Sequence, residues 1–293
     1  MYYLINSFLW LLSLLPAGAP YRLSKKIAGL WMRLSPVKRH TTKRNLERCY
    51  PNMNPAEREQ LVRDSFQHYV CSILETGHNW NWPTEKLASR CDGIVNEELY
   101  WEAAATGKGL IALAPHFGAW EYLGVYLQAI DDIAILFKPP SNPKLGEALL
   151  KKRRRGGATL IPATNVGLIQ LYTHLRSGKA AGILPDQQPP DGKGRFVPFF
   201  GHPALTGTIV PRLINRTGCR VLATVCERLD GGRYKVHLLP ADGDIYSDDL
   251  ATAMAAMNRL IERCVAIDPA QYLWSYRRFK AQPDGMPPFY DFR

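Results

Sequence analysis

Short apolar runs alternate with stretches of helical period through the middle of the chain, and this alternation constrains the fold more than any other feature. Runs bounded by Gly, Pro or polar residues predict buried strands at 109–114, 133–137, 158–161, 180–184, 219–228 and 234–239. Helical spacing predicts helices at 119–129, 144–154, 168–176 and 247–266. Such alternation is typical of α/β folds. The sequence therefore predicts a mixed, mostly parallel central sheet flanked by helices.

The first third of the chain carries helical patterns without strands. Residues 23–34 predict a basic helix that Pro36 ends. Asn54 followed by Pro55 predicts an N-cap with proline at the first helical position, and the apolar residues at 61–73 follow helical spacing. A chain of 293 residues can bury a sizeable core. We expect a single α/β domain over residues 22–293, with a helical part at about 22–90.

The N-terminal segment 1–21 is apolar and carries no charged side chain. A helix over the residues before Pro16 would span about 22 Å, which is short of the roughly 30 Å hydrocarbon thickness of a bilayer. A cleaved signal peptide is not expected, because a basic start is missing and Pro20 directly follows Ala17-Gly18-Ala19. The segment predicts a retained membrane anchor that is embedded or interfacial.

The basic block that follows supports this interpretation. Residues 22–48 contain nine lysine and arginine residues against one glutamate, within a net charge of +11 for the whole chain. Such a block suits anionic headgroups, where each basic side chain adds about 1 kcal/mol. The alternative is a buried N-terminal helix followed by a solvated charged face. The six cysteines are scattered, with neither a CxxC pair nor histidines at zinc spacing. We expect no disulfide frame, no metal site and no bound cofactor.

His116 and Glu121 form the candidate catalytic pair. His116 follows the strand at 109–114, and reactive groups of α/β sheets collect where strands end. Imidazole can accept a hydroxyl proton near neutral pH, and a carboxylate can hold its tautomer. Five residues apart on one helix, the two side chains would point about 140° apart. The pair therefore needs His116 on the loop before the helix, as Pro115 and Gly118 favour. A capping or core histidine near a surface glutamate is the alternative.

The segment APHFGAWEYLG at 114–124 resembles the H-x4-E motif of the late acyltransferases of lipid A biosynthesis, a branch of the lysophospholipid acyltransferase superfamily. Further strings resemble the family in the same order along nearly the whole chain: Lys138-Pro139 with Asn142-Pro143, Arg153 to Gly157, Gly182 to Gln187, Val197 to Gly201 with Thr206, and Tyr272 to Trp274 with Arg277 to Phe279. One departure is Tyr276, where the family pattern has a histidine.

The resemblance implies an acyltransferase that takes a fatty-acyl chain from acyl carrier protein. The acceptor would be a hydroxyl of a lipid A precursor, an anionic lipid. His116 would be the general base and Glu121 its partner, with no acyl-enzyme, since no G-x-S-x-G elbow is present. The enzyme would lie at the bacterial inner membrane with its catalytic domain facing the cytoplasm.

The other candidate site residues bind substrate in this interpretation. Arg153, Arg154 and Arg155 can hold a phosphate of the acceptor or the carrier's phosphopantetheine, or dock the acidic carrier itself, and the alternative is a solvated helix end. Asp186 and Gln187 end the strand at 180–184 on the edge that His116 occupies, with Asp186 orienting a positive group, unless it only forms a turn. Phe199 and Phe200, with Phe196 nearby, can line an acyl tunnel or belong to the core.

Two rival functions stay open at this point. The acceptor could be a lysophospholipid, a glycolipid or an ornithine lipid, because related enzymes share the motif. The chain could also be a non-catalytic peripheral protein that uses its basic N-terminus on membranes or nucleic acid. Nucleic acid is not an expected partner, because the basic block adjoins the apolar segment and no binding module is present.

Overall fold

A seven-stranded sheet lies at the centre of the computed structural model, which describes residues 2–137, 159–190 and 192–291. Its strand order is β1-β9-β8-β2-β5-β3-β4, and neighbouring strands are parallel except for the antiparallel pair β8 and β9. The strands are β1 Cys91–Val95, β2 Leu110–Leu113, β3 Ala134–Phe137, β4 Thr159–Pro162, β5 Ala180–Ile183, β8 Arg220–Arg228 and β9 Tyr234–Pro240. The predicted mixed, mostly parallel sheet is confirmed.

The strands near the middle of the sheet are the apolar runs of the sequence. Every residue of β2 and of β5 is buried, as expected for parallel strands covered on both faces. Two further strands, β6 Gly194–Phe199 and β7 His202–Gly207, form a separate antiparallel hairpin. The sequence analysis did not predict β1 or this hairpin.

Helices precede the sheet and cover it. The described helices are α1 Tyr2–Ser13, α2 Ala19–Leu34, α3 Pro36–Cys49, α4 Pro55–Asn81, α5 Thr84–Ala88, α6 Glu98–Ala105, α7 Trp120–Ile130, α8 Asn165–Arg176, α9 Ile209–Thr217 and α10 Leu250–Val265. The Asn54 side chain accepts a hydrogen bond from the backbone N–H of Ala56, which confirms the predicted N-cap. The predicted helix at 144–154 lies outside the described residues.

The N-terminal helix α1 packs against helix α4. Leu9 and Leu12 of α1 form a small apolar cluster with Val70 and Leu74 of α4. At the end of α4, Trp82 donates from Nε1 to the carbonyl of Ser13 at 2.7 Å. Through these contacts, one face of helix α1 packs against the protein body. None of the described helices is both long and apolar enough to cross a bilayer.

The opposite face of α1 consists of exposed apolar side chains, and α2 adds more of them. They are Phe8, Trp10 and Leu11 on α1, Leu14 directly after it, and Leu23, Leu30, Trp31 and Leu34 on α2. Large apolar side chains grouped on one part of a surface are typical of interaction sites. We call these eight residues the N-terminal apolar surface.

Candidate active site

His116 lies on the loop between β2 and α7, three residues beyond Leu113. Leu113 pairs with Ile183 of the neighbouring parallel strand β5, and Asp186 follows Ile183 at the same spacing. Because parallel neighbours end at the same edge of a sheet, the two loops emerge side by side. The topology therefore brings together two residues that are 70 positions apart in sequence.

Asp186 makes two hydrogen bonds to His116. Its Oδ2 accepts from the His116 backbone N–H at 3.0 Å, and its Oδ1 lies 2.8 Å from Nδ1 of the ring. Burial alone would raise the pKa of this carboxyl, but the charge of His116 and the hydrogen bonds from its ring and backbone outweigh burial, so the pKa lies below its ordinary value. An ionised carboxylate only accepts, so the proton of a neutral ring is on Nδ1 and the lone pair is on Nε2.

The Nε2 atom of His116 lies 3.1 Å from the side-chain amide nitrogen of Gln187. With the lone pair on Nε2, this amide donates to it. The ring of Trp120, at the start of α7, contacts the imidazole edge-on with 5.5 Å between the ring centres. Asp186, Gln187 and Trp120 therefore fix the position and tautomer of His116.

Backbone contacts hold the rest of the His116 loop. The carbonyl of His116 accepts from Leu273 at 3.0 Å, and the N–H groups of Gly118 and Ala119 donate to Gln271 and Cys226. Gly118 has a φ of +55°, and a Cβ there would lie 2.0 Å from the carbonyl oxygen of Cys226. Only glycine fits this close approach, so Gly118 sets the turn that separates His116 from α7.

A buried ion pair braces the same loop. Arg228 of β8 donates to both carboxylate oxygens of Glu75 on α4, at 2.8 and 2.9 Å, and to the carbonyl of Gly118 at 2.9 Å. Burial alone would lower the pKa of Arg228, but the Glu75 carboxylate raises it well above its ordinary value. Tyr234 also donates to Glu75, and Arg228 also donates to the hydroxyl of Ser72 and lies 3.1 Å from Nδ1 of His68. The loop is thus tied to both a helix and a strand.

Glu121 lies in the first turn of α7, and His116 lies before that helix, as the sequence analysis required. Oε2 of Glu121 accepts a hydrogen bond from the indole nitrogen of Trp80 on α4 at 3.4 Å. Glu121, His116 and Gln187 line one cavity of about 390 Å³ whose walls are otherwise mostly apolar. The role of Glu121 as the partner of His116 stays a prediction.

The remaining candidate residues are placed as follows. Arg153, Arg154 and Arg155 lie outside the described residues. Phe199 is fully buried in the main core against Phe279, and Phe200, at the β6–β7 turn, contacts Tyr50 and Trp274. Phe199 and Phe200 are not among the described residues that line the cavity beside His116. Their assignment to an acyl tunnel stays a prediction.

The C-terminal motif supports the loop that carries Asp186 and Gln187. The hydroxyl of Tyr276 accepts from the backbone N–H of Gln188 at 2.8 Å, and the Gln188 side chain donates to the carbonyl of Arg278. The buried guanidinium of Arg278 donates to the carbonyl of Leu205 and to Thr206 of the hairpin. Tyr276, the departure from the family pattern, therefore has a structural contact next to the site.

Several residues of the site were not found by the sequence analysis. Trp80, Glu75 and Arg228 reach the His116 loop from elements far away in sequence, and no local pattern marks them. Gly124 and Gln128, by contrast, follow Glu121 at helical spacing. That spacing was a usable signal, because residues three, four and seven apart share one face of a helix.

Comparison with known proteins agrees with the geometry. The family model described as bacterial lipid A biosynthesis acyltransferase matches residues 1–281. The chain is 30% identical over 286 residues to the lipid A biosynthesis lauroyltransferase of Escherichia coli K12, covering 96% of this chain and 92% of the relative. It is 27% identical to the palmitoleoyltransferase of the same organism over the same shares, and 28% identical to a lipid A biosynthesis acyltransferase of Haemophilus influenzae over 84% and 78%. The chain belongs to the bacterial lipid A biosynthesis acyltransferases.

Proposed function

We propose that the protein transfers a fatty-acyl chain from acyl carrier protein to a hydroxyl group of a lipid A precursor, with His116 as the general base. The observation that carries the proposal is the contact between Asp186 and Nδ1 of His116. It leaves Nε2 to accept a proton beside a mostly apolar cavity, where an acyl chain can lie. A base with this environment suits acyl transfer to an alcohol.

The reaction then needs only this one base. Nε2 takes the proton of the acceptor hydroxyl while its oxygen attacks the thioester carbonyl carbon. The tetrahedral intermediate collapses, the carbon–sulfur bond breaks, and the sulfur takes the proton from the imidazolium and leaves as the thiol of the carrier. An ester has formed, and His116 is neutral again. No residue of the chain is acylated.

Two carboxylates have separate tasks in this mechanism. Asp186 holds the ring in the tautomer that has its lone pair on Nε2 and stabilises the imidazolium from the Nδ1 side. Glu121 lies on the wall of the same cavity, where its charge also favours the imidazolium, and Trp80 positions its carboxylate. Arg153, Arg154 and Arg155 bind the phosphates of the lipid or of the carrier, a role that rests on the sequence alone.

The N-terminal apolar surface attaches the enzyme to the membrane. Its exposed side chains, including Trp10 and Trp31, suit the boundary between headgroups and acyl chains, and the basic residues of 22–48 suit anionic headgroups. We infer that the protein lies on the cytoplasmic face of the bacterial inner membrane, where a lipid acceptor and a soluble carrier meet.

The test is an acceptor assay with purified protein and acyl carrier protein that holds a radiolabelled fatty-acyl chain. A lipid A precursor, a lysophospholipid and an ornithine lipid are offered separately. We expect label in the lipid A precursor, and a loss of about a hundredfold or more in turnover for His116→Ala, the scale of removing a general base. His237→Ala, on β9, is the control and should retain activity. Label in another acceptor alone, or full activity of His116→Ala, would contradict the proposal.

A further inference from the structure

Helix α7 presents a stripe of residues to the cavity. Glu121, Gly124, Val125 and Gln128 all line it, at the spacing of one helix face. At about 1.5 Å per residue, Gln128 lies about 10 Å further along the helix axis than Glu121. The stripe therefore runs from the end of the cavity that contains His116 toward an end remote from the chemistry.

Gly124 occupies the middle of this stripe and leaves it without a side chain. Its backbone is helical and does not need glycine, unlike that of Gly118. A Cβ at Gly124 would meet only the Cδ1 atom of Ile135, at 3.8 Å, among the described residues. This is an ordinary van der Waals distance, so a methyl group fits without a clash. Because Gly124 lines the cavity, a methyl group takes up part of that space and a larger side chain takes up more of it.

Glycine at this position is costly for the helix. In a helix interior glycine is less favourable than alanine, because it loses more backbone entropy on folding. Within the part of the chain that the structure describes, neither the backbone conformation nor a close neighbour accounts for the glycine, because a Cβ is accommodated. The cavity that Gly124 lines is the physical reason that remains among the described residues.

The walls around Gly124 suit a hydrocarbon chain. Ile135, Leu136 and Phe137 of β3 also line the cavity. Gln128, the polar residue at the remote end, is buried, and its amide nitrogen donates to the carbonyl of Gly124 at 2.5 Å. This hydrogen bond holds the amide nitrogen of Gln128 against the helix backbone, which favours an apolar ligand beyond Gly124.

We propose that Gly124 determines the length of the fatty-acyl chain that the enzyme transfers. The chain lies along α7 with its thioester carbonyl near His116 and its methyl end beyond residue 124. A side chain at 124 closes the cavity at this point and excludes long acyl chains while short ones still bind. This inference rests on the proposed function, because it assumes that the acyl donor occupies the cavity.

The experiment is a competition among donors. Purified wild-type protein, Gly124→Ala and Gly124→Leu each receive an equimolar mixture of carrier proteins with saturated acyl chains of graded length, together with a lipid A precursor. Mass spectrometry of the product gives the acyl chain transferred. Ala129→Leu is the matched control, because Ala129 is exposed on the same helix and lies away from the cavity.

We expect the preferred chain to become shorter from glycine to alanine to leucine. For the longest acyl chain that the wild-type protein accepts, kcat/KM should fall on the order of tenfold or more for each methylene that is excluded. For the shortest acyl chain, kcat/KM should stay within about twofold of the wild-type value. Ala129→Leu should keep the wild-type preference. If Gly124→Leu does not fold, Gly124→Ala decides alone, since alanine favours the helix.

An active Gly124 variant with an unchanged chain-length preference would overturn the inference. So would a preference that changes with the acyl chains of the acceptor and not with those of the donor. A wild-type protein that does not acylate the lipid A precursor at all would instead contradict the proposed function. The two failures are therefore distinguishable.

Discussion

At His116, the two oxygens of one carboxylate act on different parts of the residue. Oδ2 of Asp186 accepts from the backbone and fixes the start of the loop, while Oδ1 accepts from the ring and fixes its tautomer. Gln187, the next residue, contacts the other ring nitrogen. A two-residue segment thus determines the orientation of the imidazole and the nitrogen on which the lone pair lies.

The substitution Asp186→Asn tests this arrangement in the reaction. An amide can donate to Nδ1, which would move the ring proton to Nε2 and remove the base from the reacting side. We expect kcat to fall by about a hundredfold or more, with KM for the acyl carrier within about threefold. Steady-state kinetics separate the two constants. A higher KM for the acyl carrier with a normal kcat would show that Asp186 contributes to substrate binding and not to the action of His116 as a base.

The same variant should change the pH dependence of stability. Because the pKa of Asp186 is lowered in the folded protein, its charge stabilises the fold above the unfolded pKa of about 3.9. That contribution is lost as the pH falls through the lower folded value. The difference in free energy of unfolding between wild type and Asp186→Asn should therefore shrink as the pH falls below about 4. Urea unfolding at several pH values measures it, and a difference that is constant with pH would argue against this electrostatic role.

At the scale of elements, α4 and β8 hold the His116 loop through Glu75 and Arg228. Breaking a buried ion pair leaves one charge without its partner, which costs several kcal/mol, whereas a solvated pair contributes little. Helix α4 has both kinds of glutamate. Glu75 is buried against Arg228, and Glu59 makes an exposed pair with Arg39 at 3.4 Å.

We therefore expect Glu75→Gln to lower the free energy of unfolding by about 3–5 kcal/mol. The control Glu59→Gln, on the same helix, should change it by less than about 1 kcal/mol. Urea unfolding followed by circular dichroism measures both. Equal effects of the two substitutions would mean that the buried pair contributes no more than a surface pair does.

The strands show what sequence patterns can and cannot predict. Fully buried parallel strands such as β2 and β5 are short apolar runs, so they were located to within one or two residues. The strand β1, CDGIV, is half exposed and carries Asp92 and Gly93, and β6 contains Pro198, so neither matches that pattern. Polar or proline-containing strands depend on pairing with distant segments, which a local pattern does not record.

For the site, the sequence predicted His116 on a loop and Glu121 on the following helix, and it named Asp186 and Gln187 on the same sheet edge. It did not predict that Asp186 contacts the imidazole, because this depends on β2 lying beside β5. The contact between Glu75 and Arg228 likewise spans 153 positions. Spacing along one helix or loop is visible in a sequence, and the order of strands in a sheet is not.

At the scale of the whole molecule, apolar surface is concentrated on the N-terminal helices. Trp10 of α1 is 55% exposed and belongs to the N-terminal apolar surface, and Trp101 of α6 is 54% exposed but lies outside it. Both are large apolar side chains with similar exposure. If position on the molecule determines membrane contact, only one of them should contribute to it.

We expect Trp10→Asp to weaken binding to vesicles that contain anionic lipid by about tenfold or more, since it removes a large apolar contact and adds a negative charge. Trp101→Asp should leave binding within about twofold. Flotation of vesicles with bound protein measures both variants. An equal loss for the two would mean that the N-terminal apolar surface has no special role.

The way α1 is held by α4 has a practical consequence for making this enzyme water-soluble. Trp82 and His78, at the end of α4, bond the carbonyls of Ser13 and Leu15, which lie at and just beyond the end of α1. On the same stretch of chain, Glu75 lies about one turn before His78, and Trp80 lies between His78 and Trp82. These two residues contact the groups around His116 and Glu121. A chain shortened at its N-terminus would lose the carbonyls that Trp82 and His78 bond. A shortened enzyme with poor turnover would therefore be no measure of how much the membrane itself contributes.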